Sequence, residues 1–591
     1  MMSSTSPRPA ADEGPGRLML LADAVRLHVQ PEAHLHFAST PSRSNAALRE
    51  VAHQFDGRSP QFTLSTTGFH SVAHLLGLLR LGRRYIATFF GDNYPVPRPN
   101  ALYQELESEG FELEQWSLAT YVAAFRAGAR GEPYAVTRSL SGTDLGATLK
   151  DKGLFWQVPD PARPGQLVGL VAALRADLTF LHAAVGDAEG NVLLGPPFCE
   201  GLHSALGARQ GVIVTVERIV ASGELRRFPE LLPLPPGKVL AVCVAPRGAR
   251  PQPLHVTAPG YRDLSYVDDL DEYAMWRRMT TDRERFAEFW AAERALRPGV
   301  ALDGAAESTV PERVPTSPLE PTPRINQVSE GETPSAAWQS LSQDERGTLL
   351  AARAIQRRVI EGGYDSVLAG IGQSFAAARL AKLLLSRQAR RLEILIETGL
   401  CDCDAEGADP FLLSQRNMLL AGRLSDVDHV LGSLVAGPGS RCLGVVGAAQ
   451  VDRQGNINSS RAGGRILVGS GGANDIASCA AEILVVTRAH EARLPAAVEF
   501  VTSPGWAVKG IVTESWELGR AHADEAWHVL QWLPALPGNH GPPSFPSWVT
   551  APRTEDGGAA PPTASEHEAL RIVAQRPDCS SHSPDHQREA S

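Results

Sequence analysis

The sequence lacks any uninterrupted apolar run long enough to cross a membrane, and its first residues lack the basic-then-apolar order of a signal peptide. Only seven cysteines occur in 591 residues, too few for a disulfide framework, which fits a reducing compartment. Positive charge is not in excess either, because the net charge of −10 argues against general nucleic-acid binding. We therefore expect a cytoplasmic protein with neither nucleic acid nor a membrane as its partner.

The chain is too long for one hydrophobic core, so at least two domains are expected. A stretch rich in proline, serine and threonine near the middle cannot bury enough apolar surface to order itself and predicts a linker. The end of the chain is rich in proline, glycine, serine and histidine and predicts disorder. The predicted division is a disordered N-terminus (1–14), a first domain (15–295), a linker (296–339), a second domain (340–535) and a disordered tail (540–591).

Strand and helix signals alternate through the first domain, which predicts βαβ units and an α/β fold with a mostly parallel sheet. The predicted strands cover residues 34–37, 62–65, 85–90, 178–181, 212–216 and 239–244, and predicted helices cover 67–81, 99–108 and 118–127. In the second domain, residues 366–374 read as a strand, a glycine turn and a helix start.

A faint internal duplication links the two domains. The turn pattern Asp-x-x-Gly-Asn occurs at 187–191 and again at 452–456, each time after an apolar stretch that ends in an alanine pair. Asp and Asn form local hydrogen bonds and Gly takes the positive φ, so either copy alone is explained as a turn. Two copies in equivalent contexts favour two related α/β domains.

Residues 392–399 carry the strongest functional signal. An apolar run ends abruptly at Glu397 and Gly399, as expected of a buried parallel strand. Chemistry in open α/β sheets gathers just beyond the carboxyl ends of such strands. From periodicity alone, a solvated or salt-bridged strand-end carboxylate is the favoured interpretation of Glu397, but this position also suits a nucleophile.

A glycine-rich turn at 469–475 lies between a strand-like segment at 465–468 and a helix-like segment from 476. Successive glycines let backbone amides converge on an anion or oxyanion. We therefore predict that Gly471, Gly472 and Ala473 form an oxyanion site opposite Glu397.

Four segments in order along the second domain resemble the β subunit of the glutaconate branch of the class I coenzyme A transferases. They are residues 394–402, 446–459, 469–474 and 500–506. In the first domain, residues 116–121, 127–131 and 137–145 resemble the α half, although the glycine-rich loop expected after the first strand is degenerate at 38–45. The resemblance implies an α/β fold with two related open, mostly parallel-sheet CoA-transferase-type domains in one chain.

The resemblance also implies the chemistry. Glu397 would attack an acyl-CoA and carry a glutamyl-CoA thioester, and CoA would pass to a second carboxylic acid by ping-pong kinetics without metal, ATP or any cofactor besides the CoA substrate. The expected partners are an acyl-CoA, a carboxylate and a second fused chain, forming a dimer. Asn456 and Asn458 are expected either to hydrogen-bond the acyl intermediate or to close a turn, and Asn474 either to bind at the oxyanion site or to cap the next helix. Gly372 and Ser374 are expected either to contact CoA or substrate or to form a packing turn.

Two alternatives stay open from the residues. Water in place of the carboxylate acceptor would make the protein an acyl-CoA hydrolase, and a non-catalytic acyl-CoA-binding or assembly protein would keep the fold without turnover. Cys401 and Cys403 are interpreted as loop thiols, because Cys-x-Cys without a second pair is poor metal evidence. His34 and His36 are expected to be hydrogen-bonded structural residues.

Overall fold

The computed structural model describes residues 17–39, 42–295, 334–534, 544–550 and 558–575. The predicted disordered N-terminus and most of the predicted linker lie outside these residues. Among the described residues, every helix is too short or too polar to span a bilayer.

The first half is built on a sheet whose central strands are parallel, in the order β13-β12-β10-β1-β2-β4-β6, with β11 paired to β10. Its apolar strand residues pack under helices on both faces, as a parallel sheet requires. The strands are β1 His34–Phe37, β2 Phe62–Ser65, β3 Gly68–Phe69, β4 Gly82–Ala87, β5 Phe89–Phe90, β6 Glu112–Gln115, β7 Tyr134–Thr137, β8 Phe155–Pro159, β9 Leu167–Ala172, β10 Leu178–Gly186, β11 Val192–Leu193, β12 Gly211–Ile219 and β13 Val239–Val244.

The helices of the first half alternate with these strands, as predicted. They are α1 Leu21–His28, α2 Asn45–Phe55, α3 His74–Leu78, α4 Ala101–Ser108, α5 Leu118–Arg130, α6 Asp144–Asp151, α7 Gly201–Gly207, α8 Leu270–Thr281 and α9 Arg283–Ala295. The predicted helix over 67–81 is wrong in its first part, because residues 68–69 form β3 and the α-helix begins only at His74.

The second half holds a nine-stranded sheet in the order β17-β16-β15-β14-β18-β23-β24-β25-β26, parallel from β15 to β24. Its strands are β14 Ser366–Ala369, β15 Glu393–Ile396, β16 Leu400–Cys403, β17 Ala421–Leu424, β18 Cys442–Gly447, β19 Gln450–Val451, β20 Ile457–Asn458, β21 Arg461–Ala462, β22 Arg465–Ile466, β23 Glu482–Val486, β24 Val508–Val512, β25 Trp516–Gly519 and β26 His528–Trp532. The predicted strand over 465–468 is only the two-residue β22.

The helices of this half are α10 Pro334–Gln339, α11 Gln343–Gly362, α12 Gln373–Ser386, α13 Gln415–Leu419, α14 Ala473–Cys479 and α15 Ala564–Ala574, with a π-helical segment at Asp428–Val435. Short 3-10 turns occur at Ser71–Ala73, Glu224–Arg227, Pro229–Leu231, Pro236–Lys238, Arg262–Leu264 and Glu491–Arg493.

The two halves are related, as the duplicated turn predicted. β1 lies between β10 and β2, and β14 lies in the same way between β18 and β15. In each turn the aspartate, Asp187 or Asp452, accepts the backbone N–H of residues two and four positions later and the side-chain amide of the final asparagine. The structure therefore confirms an α/β fold with two related domains in one chain.

The predicted boundaries near the linker and tail need correction. Thr563 caps α15 through a reciprocal pair of hydrogen bonds with Glu566, so this part of the predicted tail is helical. Trp338, placed in the predicted linker, is fully buried and donates its indole N–H to the carbonyl of Ala559. The average composition of both segments obscured these short amphipathic helices, which pack on the second half.

Candidate active site

Glu397 lies where the sequence predicted, one residue beyond the end of β15. The turn is tight because Gly399 has a φ of +115° and a Cβ there would lie 2.6 Å from the carbonyl oxygen of Ser425. The chain then returns as the antiparallel strand β16, so Cys401 and Cys403 are buried strand residues and not loop thiols. The hairpin leaves Glu397 at the carboxyl end of strand β15.

The glycine-rich turn reaches Glu397, which confirms the predicted proximity of the two motifs. A Cβ on Gly472 would lie 2.1 Å from Glu397 Oε2, so any other residue at 472 would displace the carboxylate from this position. The Gly472 N–H donates a hydrogen bond to that carboxylate. The contact fixes the orientation of the glutamate.

The prediction that three amides of this turn converge on an oxyanion is wrong. The Gly471 N–H donates to the Thr88 carbonyl at 3.1 Å, and the Ala473 N–H donates to the Ser470 carbonyl at 2.9 Å. Because each amide has one hydrogen to donate, neither is free for a ligand. Thr88 belongs to the other half of the chain, so the sequence of the turn alone gave no sign of this pairing.

Two buried carboxylates set the electrostatics of the site. Burial, and after it the nearby Asp475 carboxylate, raise the pKa of Glu397 to about 7 against the opposing effect of the Gly472 N–H. Burial likewise raises the pKa of Asp475 to about 6, against hydrogen bonds from the Ala119 N–H and the hydroxyls of Ser139 and Ser117. At neutral pH Glu397 is therefore divided between its acid and its anion.

Glu397 faces a cavity of about 570 Å³ between the two halves. The second half supplies Glu397 and the 469–473 turn, and the first half supplies the ends of strands, including Thr67, Thr88 and Phe89. Residues from both halves are needed to enclose it. Clefts of this kind, with a few polar groups on an apolar lining, are typical of binding sites for small molecules.

Hydrogen bonds across the interface hold the glycine-rich turn in place. The Phe90 N–H donates to the Val468 carbonyl at 2.7 Å, and the Leu118 N–H donates to the Gly471 carbonyl at 2.9 Å. Asp475 caps the start of α5 by accepting from Ser117 Oγ at 2.7 Å and from the Ala119 N–H at 2.9 Å. The first half thus positions the wall that carries Gly472.

Asn474 is fully buried outside the cavity lining. Its side-chain oxygen accepts the Leu140 N–H at 2.9 Å, and its side-chain amide donates to the Thr502 carbonyl at 2.8 Å. Both groups are occupied in joining the halves. The structure therefore contradicts a substrate-binding role for Asn474 and favours a structural one.

Asn456 and Asn458 also lie outside the cavity lining. Asn456 closes the duplicated turn and accepts the Gly505 N–H, whereas Asn458 bonds to Gln450 and to the backbone of Arg461. Of the two interpretations offered by the sequence, the turn is the one that the contacts support.

Gly372 and Ser374 flank the start of α12 but do not line the cavity. Gly372 has a φ of +86°, and Ser374 is 1% exposed within the core. Their predecessors Gly370 and Ile371 do line it, so the glycine turn was located to within two residues. The structure places Gly372 and Ser374 outside the cavity lining, and their contact with CoA or substrate stays a prediction.

Asn93 is a cavity residue that sequence reasoning missed. It is 4% exposed, and its side-chain amide nitrogen has no hydrogen-bond partner among the described residues. An unpaired buried donor that lines a cavity is costly unless a ligand completes it. The signal available was the Gly91-Asp92-Asn93 sequence directly after an apolar strand.

The histidines of β1 have the structural contacts that were expected. Ser65 Oγ lies 2.7 Å from His34 Nε2 and 2.9 Å from His36 Nδ1, and His36 Nε2 lies 3.3 Å from Glu200 Oε1. No group of three or more histidine, cysteine or acidic side chains in the described part of the chain is arranged to hold a metal ion.

Comparison with known proteins shows which proteins this chain resembles. The family model for coenzyme A transferases matches residues 19–234. One of the subunits of the 3-oxoadipate CoA-transferase of Pseudomonas knackmussii is 34% identical over 188 residues, which cover 32% of this chain and 58% of that protein. The first half of this chain is therefore similar to coenzyme A transferases. Its match spans less than two thirds of that relative.

Two further comparisons extend the likeness beyond the first half. The chain is 28% identical over 165 residues to one of the subunits of the glutaconate CoA-transferase of Acidaminococcus fermentans, covering 27% of the chain and 60% of the relative. An acyl-CoA transferase from Escherichia coli O157:H7 has the same fold, with a TM-score of 0.59 at 15% identity over 89% of this chain and 92% of that one.

Proposed function

We propose that this protein transfers CoA from an acyl-CoA thioester to a carboxylic acid, with Glu397 as the covalent carrier. The observation that supports this most is the position of the Glu397 carboxylate, at a strand end, oriented by the Gly472 N–H and open to a cavity enclosed by both halves. A nucleophile must be ionised, rigidly held and accessible, and Glu397 meets each requirement near neutral pH.

The proposed reaction conserves the thioester. The Glu397 carboxylate attacks the acyl carbonyl, and the C–S bond breaks to give an acyl–glutamyl anhydride and CoA thiolate. The thiolate then attacks the glutamyl carbonyl, which releases the first carboxylic acid as its anion and leaves a glutamyl-CoA thioester. A second carboxylate runs the same steps in reverse, so donor and acceptor follow ping-pong kinetics.

The tetrahedral intermediates need a hydrogen-bond donor, because negative charge develops on the carbonyl oxygen. The Gly472 N–H already donates to Glu397 and can remain with the glutamyl oxygen after acylation. For the substrate oxygen we propose the side-chain amide of Asn93, which lines the cavity with its hydrogens unpaired. This assigns one donor to each half of the chain.

We also propose that the chain is a fused form of two subunits. Its two relatives are different subunits of CoA-transferases, whereas segments similar to both occur here in one polypeptide. The finer expectation that a cytoplasmic dimer forms remains part of this proposal.

Initial-rate kinetics with matched variants tests the transfer. Parallel double-reciprocal lines for donor and acceptor are expected for the wild type, and Glu397→Gln should remove transfer. Glu393→Gln is the control, since Glu393 lies on the same strand, pairs with Arg423 and does not line the cavity. Wild-type transfer by Glu397→Gln would contradict the proposal, and release of free CoA without an acceptor would indicate a hydrolase instead.

A further inference from the structure

We propose that the cavity takes an acyl group with an extended, uncharged apolar body, aliphatic or ring-bearing, and discriminates against short dicarboxylic acids. This inference rests on the proposed function and concerns the identity of the acyl group. It follows from which side chains line the cavity beside Glu397 and from where the cations are.

An apolar wall begins directly at the nucleophile. Leu400 pairs with Ile396 across the β15–β16 hairpin, so it lies opposite the last residue before Glu397. Leu400, Leu412 and Met418 belong to one continuous core cluster and also line the cavity. The wall is therefore fixed by the core of the second half, and an acyl chain attached at Glu397 can lie against it.

The first half closes the same region with rings. Phe89, Pro97, Pro99 and Tyr273 line the cavity. Tyr273 packs against Phe411 with ring centroids 5.8 Å apart, and Phe411 immediately precedes the Leu412 wall. Aromatic and proline side chains present large, rigid apolar surfaces, so both sides of the pocket suit hydrocarbon.

Charge is scarce in this cavity. Among the described residues that line it, Glu397 and Arg493 are the charged ones, and Arg493 is solvent-exposed with Nη1 already donating to the Ala448 carbonyl. His70 also lines the cavity, but burial, Arg43 and His74 hold its pKa well below the usual value, so it is neutral. A second carboxylate that lies away from Arg493 would meet no cation among the described lining residues and would be desolvated without compensation.

The volume of the cavity also favours an acyl group with an extended body. A cavity of about 570 Å³ is within the range of sites that hold drug-sized ligands, about 300–1,000 Å³. It leaves room for a body beyond a five-carbon acid. Each additional buried methylene should then improve transfer roughly fourfold until the cavity is filled.

The experiment compares isosteric donors. We would measure kcat/KM for transfer to acetate from 5-methylhexanoyl-CoA and from glutaryl-CoA, which differ by an isopropyl group in place of a carboxylate, and from linear acyl-CoAs of increasing length. The inference expects the 5-methylhexanoyl donor to be at least roughly tenfold better and the linear series to rise with length. Equal or better transfer from glutaryl-CoA would overturn it.

Two leucine-to-lysine variants test whether the apolar wall of the cavity causes the preference for an uncharged acyl group. Leu413, half-buried and lining the cavity, is changed to lysine, and Leu419 of the same segment, 55% exposed and outside the lining, is the control. Leu413→Lys should lower kcat/KM for 5-methylhexanoyl-CoA and raise it for glutaryl-CoA, while Leu419→Lys changes neither. Equal effects of the two variants would contradict the assignment.

Binding to Glu397→Gln separates this inference from the proposed function. Calorimetry with the two isosteric acyl-CoAs requires no transfer. If the wild type transfers from no donor but the variant still prefers the 5-methylhexanoyl ester, the pocket assignment stands and the transferase proposal fails. If the variant binds glutaryl-CoA as tightly, the pocket assignment fails whatever the activity.

Discussion

The two halves use the same strand end in different ways. β2 lies beside β1 as β15 lies beside β14, and the chain continues as Thr66-Thr67-Gly68 after β2 and as Glu397-Thr398-Gly399 after β15. Thr66 is fully buried and accepts a hydrogen bond from the buried Arg43, whereas Glu397 is open to the cavity. The fold supplies the position, and the side chain decides whether it is structural or reactive.

The turns after β2 and β15 also differ in the charged side chain that lies next to them. Behind the first turn, Arg43 donates to the carbonyls of Gly68 and His70, and burial lowers its pKa to about 10. Behind the second, the Asp475 carboxylate raises the pKa of Glu397. A cation thus supports the backbone of the turn in the first half, while an anion adds to the effect of burial on the proton affinity of Glu397 in the second.

The largest effect should come from replacing Glu397 with threonine, the residue that occupies the equivalent position, 66, in the first half. Glu397→Thr removes the carboxylate and should reduce transfer by roughly 10⁴-fold or more, because Glu397 supplies the only carboxylate among the described residues that line the cavity. Adding Thr66→Glu should not restore activity, since Thr66 is buried beside Arg43 and away from the lining. Rescue by the double variant, measured as kcat/KM, would show that the halves are interchangeable.

A smaller effect is expected from the glycine that touches the nucleophile. Gly472→Ala places a Cβ 2.1 Å from the present position of Glu397 Oε2, so the carboxylate must move, and transfer should fall by roughly 10²-fold. Gly432→Ala is the matched control, because nothing lies within 4 Å of a Cβ there. Similar kcat values for the two variants would contradict the contact.

The pH profile should report the carboxylate pair. Only the ionised Glu397 can attack, so the wild-type rate should fall as pH drops through about 7. Asp475→Asn removes the repulsion from a neighbouring anion and should move the midpoint to lower pH. Asp428→Asn, at an interface carboxylate paired with Arg126, is the control and should leave the midpoint unchanged. A midpoint that responds to both substitutions or to neither would refute the coupling.

The smallest expected effect is on stability. The folded-state pKa of Glu397, about 7, is above its ordinary value of 4.5, so its contribution to stability is present below pH 4.5 and is lost as pH rises through 7. Glu397→Gln should therefore stabilise the protein at pH 8 by about 1–3 kcal/mol and leave it unchanged at pH 4. Calorimetric Tm values at the two pH values measure this, and a variant no more stable at pH 8 would contradict it.

Features of the site that depend on a short stretch of sequence were predictable, and features that depend on contacts between the two halves were not. The strand before Glu397 and the proximity of Gly472 followed from an apolar run and a glycine pattern, which are local signals. The partner of the Gly471 amide was not predictable, because Thr88 lies in the other half. Asn93 was missed for the same reason: its value depends on a cavity that only both halves create.

The most direct test of the account is to locate the covalent intermediate. Wild-type protein is incubated with an acyl-CoA and no acceptor, reduced with borohydride, digested and mapped by mass spectrometry. The account predicts that one equivalent of carboxylic acid is released and that residue 397 alone carries the alcohol formed by reducing a glutamyl thioester, with Glu393→Gln behaving identically. An adduct on Cys199 or Cys401, or release of the acid without any change at Glu397, would contradict it.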